Sequence, residues 1–212
     1  VHGMDFINTF LGFHNITRFT TPEHASRVTF WYYFPVIIIG MFPWTGILLQ
    51  SIKASISDSR TDDMRTLIFF HVWWIFVLVF FTICKTKLVS YILPMFPALA
   101  IIIGWNIARM MAKVRYNTTF YSWIVGSGIM FTLLGAGWII GGQQLPELTF
   151  GGLVLGGLTF VLGFVALFVL WYYRDIQMAS WIHALMGATI MVVAFAFLMP
   201  AVEDRFSVKN II

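Results

Sequence analysis

The chain has 212 residues, of which 59% are hydrophobic and only 10% charged, against about 25% charged in an ordinary soluble domain. That balance excludes a soluble globular domain, because no soluble packing arrangement hides so much apolar surface. The net charge of +4, from 13 basic and 9 acidic residues, is spread over Lys and Arg at the ends of apolar runs, the pattern of membrane topology rather than of nucleic-acid binding.

The chain starts at Val1 with no visible signal peptide, and reads as a fragment whose N-terminal part is missing. Residues 1–30 are polar and aromatic. Phe6, Ile7, Phe10 and Leu11 have the one-face spacing of a helix lying in the membrane interface, and His14, Asn15, Arg18 and His24 follow. Such donors suit an anionic headgroup; an ordinary loop anchored by aromatics is the plainer reading.

Six stretches then have the roughly 20 apolar residues needed to cross the hydrocarbon: 31–52, 66–84, 88–108, 120–140, 150–173 and 178–199, none containing Asp, Glu, Lys or Arg. The expected fold is an all-α, polytopic transmembrane bundle of about six spans with an outer amphipathic N-terminal segment. It divides into an outer loop (1–30), three helices (31–108), three glycine-rich helices (109–199) and an outer tail (200–212). Linkers 53–65, 109–119 and 174–177 carry Lys53, Arg60, Arg65, Arg109, Lys113, Arg115 and Arg174, whereas 85–87 and 141–149 carry only Lys85 and Lys87. The excess puts the first group in the cytoplasm and both termini outside.

Pro35, Pro43, Pro94 and Pro97 lie inside the first and third stretches, where each removes a helical hydrogen bond. Irregular backbone at that depth is tolerated where it is buried or lines a cavity, so 88–108 is either a functional helix or a kinked packing helix. Lys85 and Lys87, outward against the positive-inside bias, are candidates to bind a lipid phosphate, with simple snorkelling as the alternative. Tyr91, one turn further on, could lend its hydroxyl to the same site. The later spans are rich in Gly, with Gly137–Gly141 and Gly152–Gly156 at small-xxx-small spacing.

No Gly-rich phosphate loop, Cys-x-x-Cys or His-Glu-x-x-His occurs. The absence of acids from the spans counts against a proton-driven pump. His71 and His183 each stand alone within a span and read as packing residues rather than metal ligands. Cys84, the single cysteine, has no intramolecular disulfide partner.

Two blocks carry a family resemblance. Phe13-His14-Asn15-Ile16-Thr17-Arg18-Phe19-Thr20-Thr21, followed by Phe30-Trp31-Tyr32-Tyr33-Phe34-Pro35 and Phe42-Pro43-Trp44, resembles a stretch of the GT-C superfamily of lipid-linked-sugar glycosyltransferases. So does Lys85-Thr86-Lys87-Leu88-Val89-Ser90-Tyr91-Ile92-Leu93-Pro94, with Pro97 and Ala98 after it. The branch is that of the bacterial aminoarabinose transferases of lipid A and the protein O-mannosyltransferases. The resemblance covers about residues 10–108, and residues 120–212 add only hydropathy.

The resemblance implies an integral membrane enzyme moving a sugar from a polyprenyl-phosphate carrier to a lipid or protein acceptor at the outer face of the bacterial inner membrane. Lys85 and Lys87, with Tyr91, would face the carrier phosphate. Arg18 and His14 would lie near the sugar or phosphate. The family's catalytic base, an Asp in the first outer loop, has no match here, since Asp5 and Glu23 do not fit its motif; the catalytic residue is therefore expected outside this chain. Cofactors stay undetermined, a divalent cation included, and no nucleic-acid partner is implied. A transporter or flippase for a lipid or anionic solute would use the same kinked helices and lysines. A structural subunit without chemistry would leave the outward lysines unexplained.

Overall fold

The computed structural model describes residues 30–57, 64–84, 86–112, 118–144 and 146–206. Among these there is no strand. In hydrocarbon no water is present to take up free backbone N–H and C=O groups, so an apolar chain satisfies them within helices. The helices are α1 (Tyr33–Gly40), α2 (Thr45–Ser57), α3 (Met64–Ile83), α4 (Phe96–Ala112), α5 (Thr118–Gln143), α6 (Thr149–Phe168) and α7 (Ile176–Phe206). Short 3-10 turns at Phe30–Tyr32, Val89–Met95 and Pro146–Leu148 precede α1, α4 and α6. Five segments, Arg65–Ile83, Val89–Ala112, Phe120–Gln143, Thr149–Tyr173 and Ile176–Phe197, are long and apolar enough to cross a membrane. A sixth is counted when α1 and α2 are taken as one bent span. The chain is a multi-pass membrane protein.

The stretch 31–52, expected as one span, is instead two helices broken at residues 41–44. Pro43 supplies the reason: it has no N–H to donate and biases the preceding residue away from helix. The chain closes the gap with a turn in which the Trp44 N–H donates to the Met41 carbonyl at 2.8 Å. Pro35 does no such damage, because it falls in the first turn of α1, where a missing N–H costs nothing.

The described residues form two compact units, one of residues 30–40 and 55–102, the other of 41–54 and 103–206. In the first, the end of α3 packs on the 3-10 turn 89–95, with Phe81 and Tyr91 rings 5.1 Å apart. Gly40 lets the Phe96 ring approach: a Cβ there would stand 2.5 Å from the ring.

The second unit is built on close helix contact. Gly46 of α2 lies against Gly126 and Ser127 of α5, backbone to backbone, with no room for a side chain at either glycine. Between α5 and α6, Gly142 meets Gly152, and Gly156 meets the Gly135 carbonyl and Ile139. Small residues permit this approach where lipid offers no hydrophobic drive between helices. Of the two spaced glycine pairs singled out in the sequence, Gly152–Gly156 is at the contact, whereas Gly137 and Gly141 face open space. Phe131, Leu155, Ala166, Met186 and Ile190 form the core under these helices, with Phe42 edge-on to Phe131. The helix α6 continues as a π-helical turn, Val169–Tyr173, and ends at Arg174, whose φ of 53° is left-handed. Asp175 then caps α7, its Oδ1 accepting the Met178 N–H at 2.8 Å.

Adjacent glycines of α6 give a test. Gly156→Ala pushes a methyl against Ile139 and a backbone carbonyl, and is expected to destabilise by about 1–3 kcal/mol. Gly157→Ala, with nothing within 4 Å, is expected to be neutral or to stabilise by up to ~1 kcal/mol through helix propensity. Thermal unfolding of the two variants in detergent checks the opposite signs.

Candidate functional site

Everything at the end of α3 follows from where its hydrogen bonding stops. Cys84 closes the helix, its N–H and its Sγ both donating to the Phe80 carbonyl at 3.3 Å. The next helix cannot begin at once as α, because Pro94 lacks an N–H and its ring would meet the carbonyl four residues back. The chain therefore takes the tighter 3-10 path over Val89–Met95 and becomes α-helical only at Phe96, with Pro97 in the tolerant first turn. The short linker is left at the end of α3, and Lys87 fills it.

The Lys87 Nζ donates to the Thr82 carbonyl, one of the last free carbonyls of α3. It also stands over the Tyr33 ring, 5.6 Å from the centroid, within cation–π range. A positive group is favoured at this end of a helix by the macrodipole. An ammonium has three donors, and the Thr82 carbonyl takes one. Burial pushes the Lys87 pKa down from the ordinary lysine range, and the neighbouring Cys84 opposes this. Tyr91 is half-buried on the same 3-10 turn, its ring against Phe81.

Lys87 and Tyr91 each lie near Tyr33, Lys87 over its ring and Tyr91 among the side chains around its hydroxyl. Tyr33 is 1% exposed, and its hydroxyl has no hydrogen-bond partner among the described residues. It was quoted in the motif 30–35, but nothing in the sequence distinguishes it there from Tyr32. Lys85, His14 and Arg18 lie outside the described residues. No Asp or Glu occurs among the described residues of this unit. The site can therefore hold an anion with a cation and hydroxyls, and these residues supply no carboxylate base.

The two membrane histidines do other work. The Trp74 Nε1–H can only donate, so its 3.0 Å contact makes His71 Nδ1 the acceptor. In the neutral ring the proton then sits on Nε2, which donates to Ser55 Oγ at 2.8 Å. Both nitrogens of His71 are occupied by packing partners. His183 is fully buried among Trp44, Trp123 and Phe131, with Nδ1 donating to the Ala179 carbonyl at 2.8 Å. Among the described residues no three His, Cys, Asp or Glu gather as a metal set.

Comparison with known proteins finds relatives along most of the chain. The undecaprenyl phosphate-alpha-4-amino-4-deoxy-L-arabinose arabinosyl transferase of Pectobacterium atrosepticum is 30% identical over 168 residues, 76% of this chain and 30% of that protein. The enzyme of the same name from Wigglesworthia glossinidia brevipalpis is 34% identical over 131 residues, 61% of this chain and 23% of its own length. That of Edwardsiella ictaluri is 28% identical over 214 residues, 96% of this chain and 38% of its own length. The chain thus spans well under half the length of these relatives. The similarity also runs beyond the two motif blocks into the glycine-rich helices. No family model and no solved structure matches.

The histidine geometry generates a stability test. His71→Phe keeps the ring volume and strands the Trp74 N–H without its acceptor, an expected loss of about 1–3 kcal/mol. The thermal midpoint in detergent should fall accordingly.

Proposed function

From a chain homologous to a stretch of the undecaprenyl phosphate-aminoarabinose arabinosyl transferases, we propose the carrier-binding part of a bacterial inner-membrane glycosyltransferase. The substrate is a sugar linked to undecaprenyl phosphate, and the acceptor is lipid A. The observation that carries this reading is Lys87, fixed between the Thr82 carbonyl and the Tyr33 ring in a unit whose described residues include no acid.

The chemistry needs such a group. In transfer, the bond between the sugar's anomeric carbon and a phosphate oxygen breaks, and the oxygen leaves with an extra negative charge. An ammonium already in place at that oxygen lowers the barrier without reorganisation at the moment of reaction. Lys85 and Tyr91 share the phosphate in this reading. His14 and Arg18, on the amphipathic outer segment, face the sugar. An acceptor oxygen forms the new bond to the anomeric carbon, and any proton it carries goes to a base other than the described residues of this unit. The linker 85–87 is then on the outer face, with 53–65, 109–119 and 174–177 in the cytoplasm, and residues 31–108 carry the lipid-carrier site. The exposed apolar side chains around the linker, Leu88, Val89 and Leu93, suit an isoprenoid tail lying against it in the bilayer.

In the full-length enzyme, Lys87→Ala and the double change with Lys85→Ala are expected to lower transfer from the undecaprenyl-phosphate-linked sugar to lipid A by at least about tenfold, the scale of one lost charged hydrogen bond. Transfer at the unmodified rate in the double variant would show that the lysines have no part in it.

A further inference from the structure

Tyr33 is the anomaly of the site. A buried hydroxyl without a partner costs on the order of 1–3 kcal/mol, and a phenylalanine would fill the same space without that cost. The ring alone would serve the cation–π contact with Lys87. The hydroxyl is therefore the part of Tyr33 that needs explaining.

Its surroundings say what would satisfy it. The Cys84 and Tyr91 side chains are its neighbours, and the nearby Leu88 backbone N–H could only donate to the phenol oxygen, so the O–H itself is left without an acceptor. Lys87 lies on the ring face. The cover over this corner is thin: Thr86, Lys87 and Tyr91 are half-buried, while Leu88, Val89 and Ser90 are exposed. A group entering from the linker side meets an ammonium first and a phenol hydroxyl beside it. Both donate, and no described residue of the unit is a carboxylate that would repel an anion. A neutral ligand would leave the ammonium poorly matched, so the complementary group is an anion with several acceptor oxygens close together. A phosphate has that form.

We infer that the Tyr33 hydroxyl is a further ligand of the carrier phosphate, donating a hydrogen bond to one of its oxygens next to Lys87. This inference rests on the carrier-binding reading above and adds a residue to it. The phenol thereby has two tasks: its face holds the ammonium in position, and its hydroxyl binds the group that the ammonium attracts.

The test is thermal unfolding of the full-length protein in detergent, titrated with undecaprenyl phosphate, for wild type, Tyr33→Phe and Lys87→Ala. Tyr33→Phe should weaken the apparent Kd by about tenfold, the scale of one hydrogen bond to a charged group. Its midpoint without lipid should be unchanged or higher, because an unpaired buried hydroxyl has gone. Undecaprenol, which lacks the phosphate, should protect wild type and Tyr33→Phe equally. If Lys87→Ala weakens binding and Tyr33→Phe leaves it unchanged, the hydroxyl is no ligand and this inference falls while the carrier site stands. If neither change affects the Kd, the carrier site itself is wrong. A fall in the lipid-free midpoint of Tyr33→Phe would show that the hydroxyl has a structural partner, and would also overturn the inference. Inorganic phosphate that protects as well as the lipid at equal concentration would overturn the lipid as the source of the phosphate.

Discussion

In a bilayer the backbone has no solvent to fall back on, and this requirement organises the molecule. Where the sequence lets each N–H reach the carbonyl four residues back, the result is a plain crossing helix, as in α3. Where a proline removes a donor, the chain must find a tighter turn or bring in a side chain. The turn at 41–44 and the 3-10 segment Val89–Met95 are the first kind of answer. Lys87 on the Thr82 carbonyl is the second. The irregular linker is thus what a hydrogen-bonding problem leaves behind. The lysine that solves it keeps donors to spare.

The glycine-rich helices follow a different economy. Their contacts are made by what is missing: with no side chain at Gly46, Gly126, Gly142, Gly152 and Gly156, one helix backbone lies on another. Dispersion at this range replaces the hydrophobic drive that operates only against water. Polar side chains in the same unit bond mostly to their own helix, with one link between helices. The Ser51 and Thr159 hydroxyls return to carbonyls one turn back, and Asn106 reaches Ser51 at 3.0 Å.

What could be read from the sequence was whatever depends on a run of residues. The last three spans were located to within a few residues, because charge is absent from them and their ends are marked by polar residues. That Lys87 and Tyr91 sit on one short irregular segment was legible from Pro94 and the charged linker before it. The break at 41–44 was harder: Pro35 and Pro43 look alike in sequence, and only the helix start at Tyr33 makes one harmless and the other disruptive. Which glycines touch depends on the rotation of each helix about its axis, and a spacing rule cannot supply it; hence Gly142 is at the contact and Gly141 is not. Tyr33 was invisible for a related reason. It meets Lys87, a residue more than fifty positions away, and no local pattern records that meeting.

The hairpin joining α6 to α7 has a consequence for how the protein is made. Only Arg174 and Asp175 lie between the π-helical turn and the first residue of α7. One is in the left-handed conformation, and the other caps the helix that follows. So short a hinge leaves no slack for one helix to settle in the bilayer while its partner waits in the aqueous channel. The two helices therefore belong to the bilayer as one hairpin, with Arg174 and Asp175 as its charged tip.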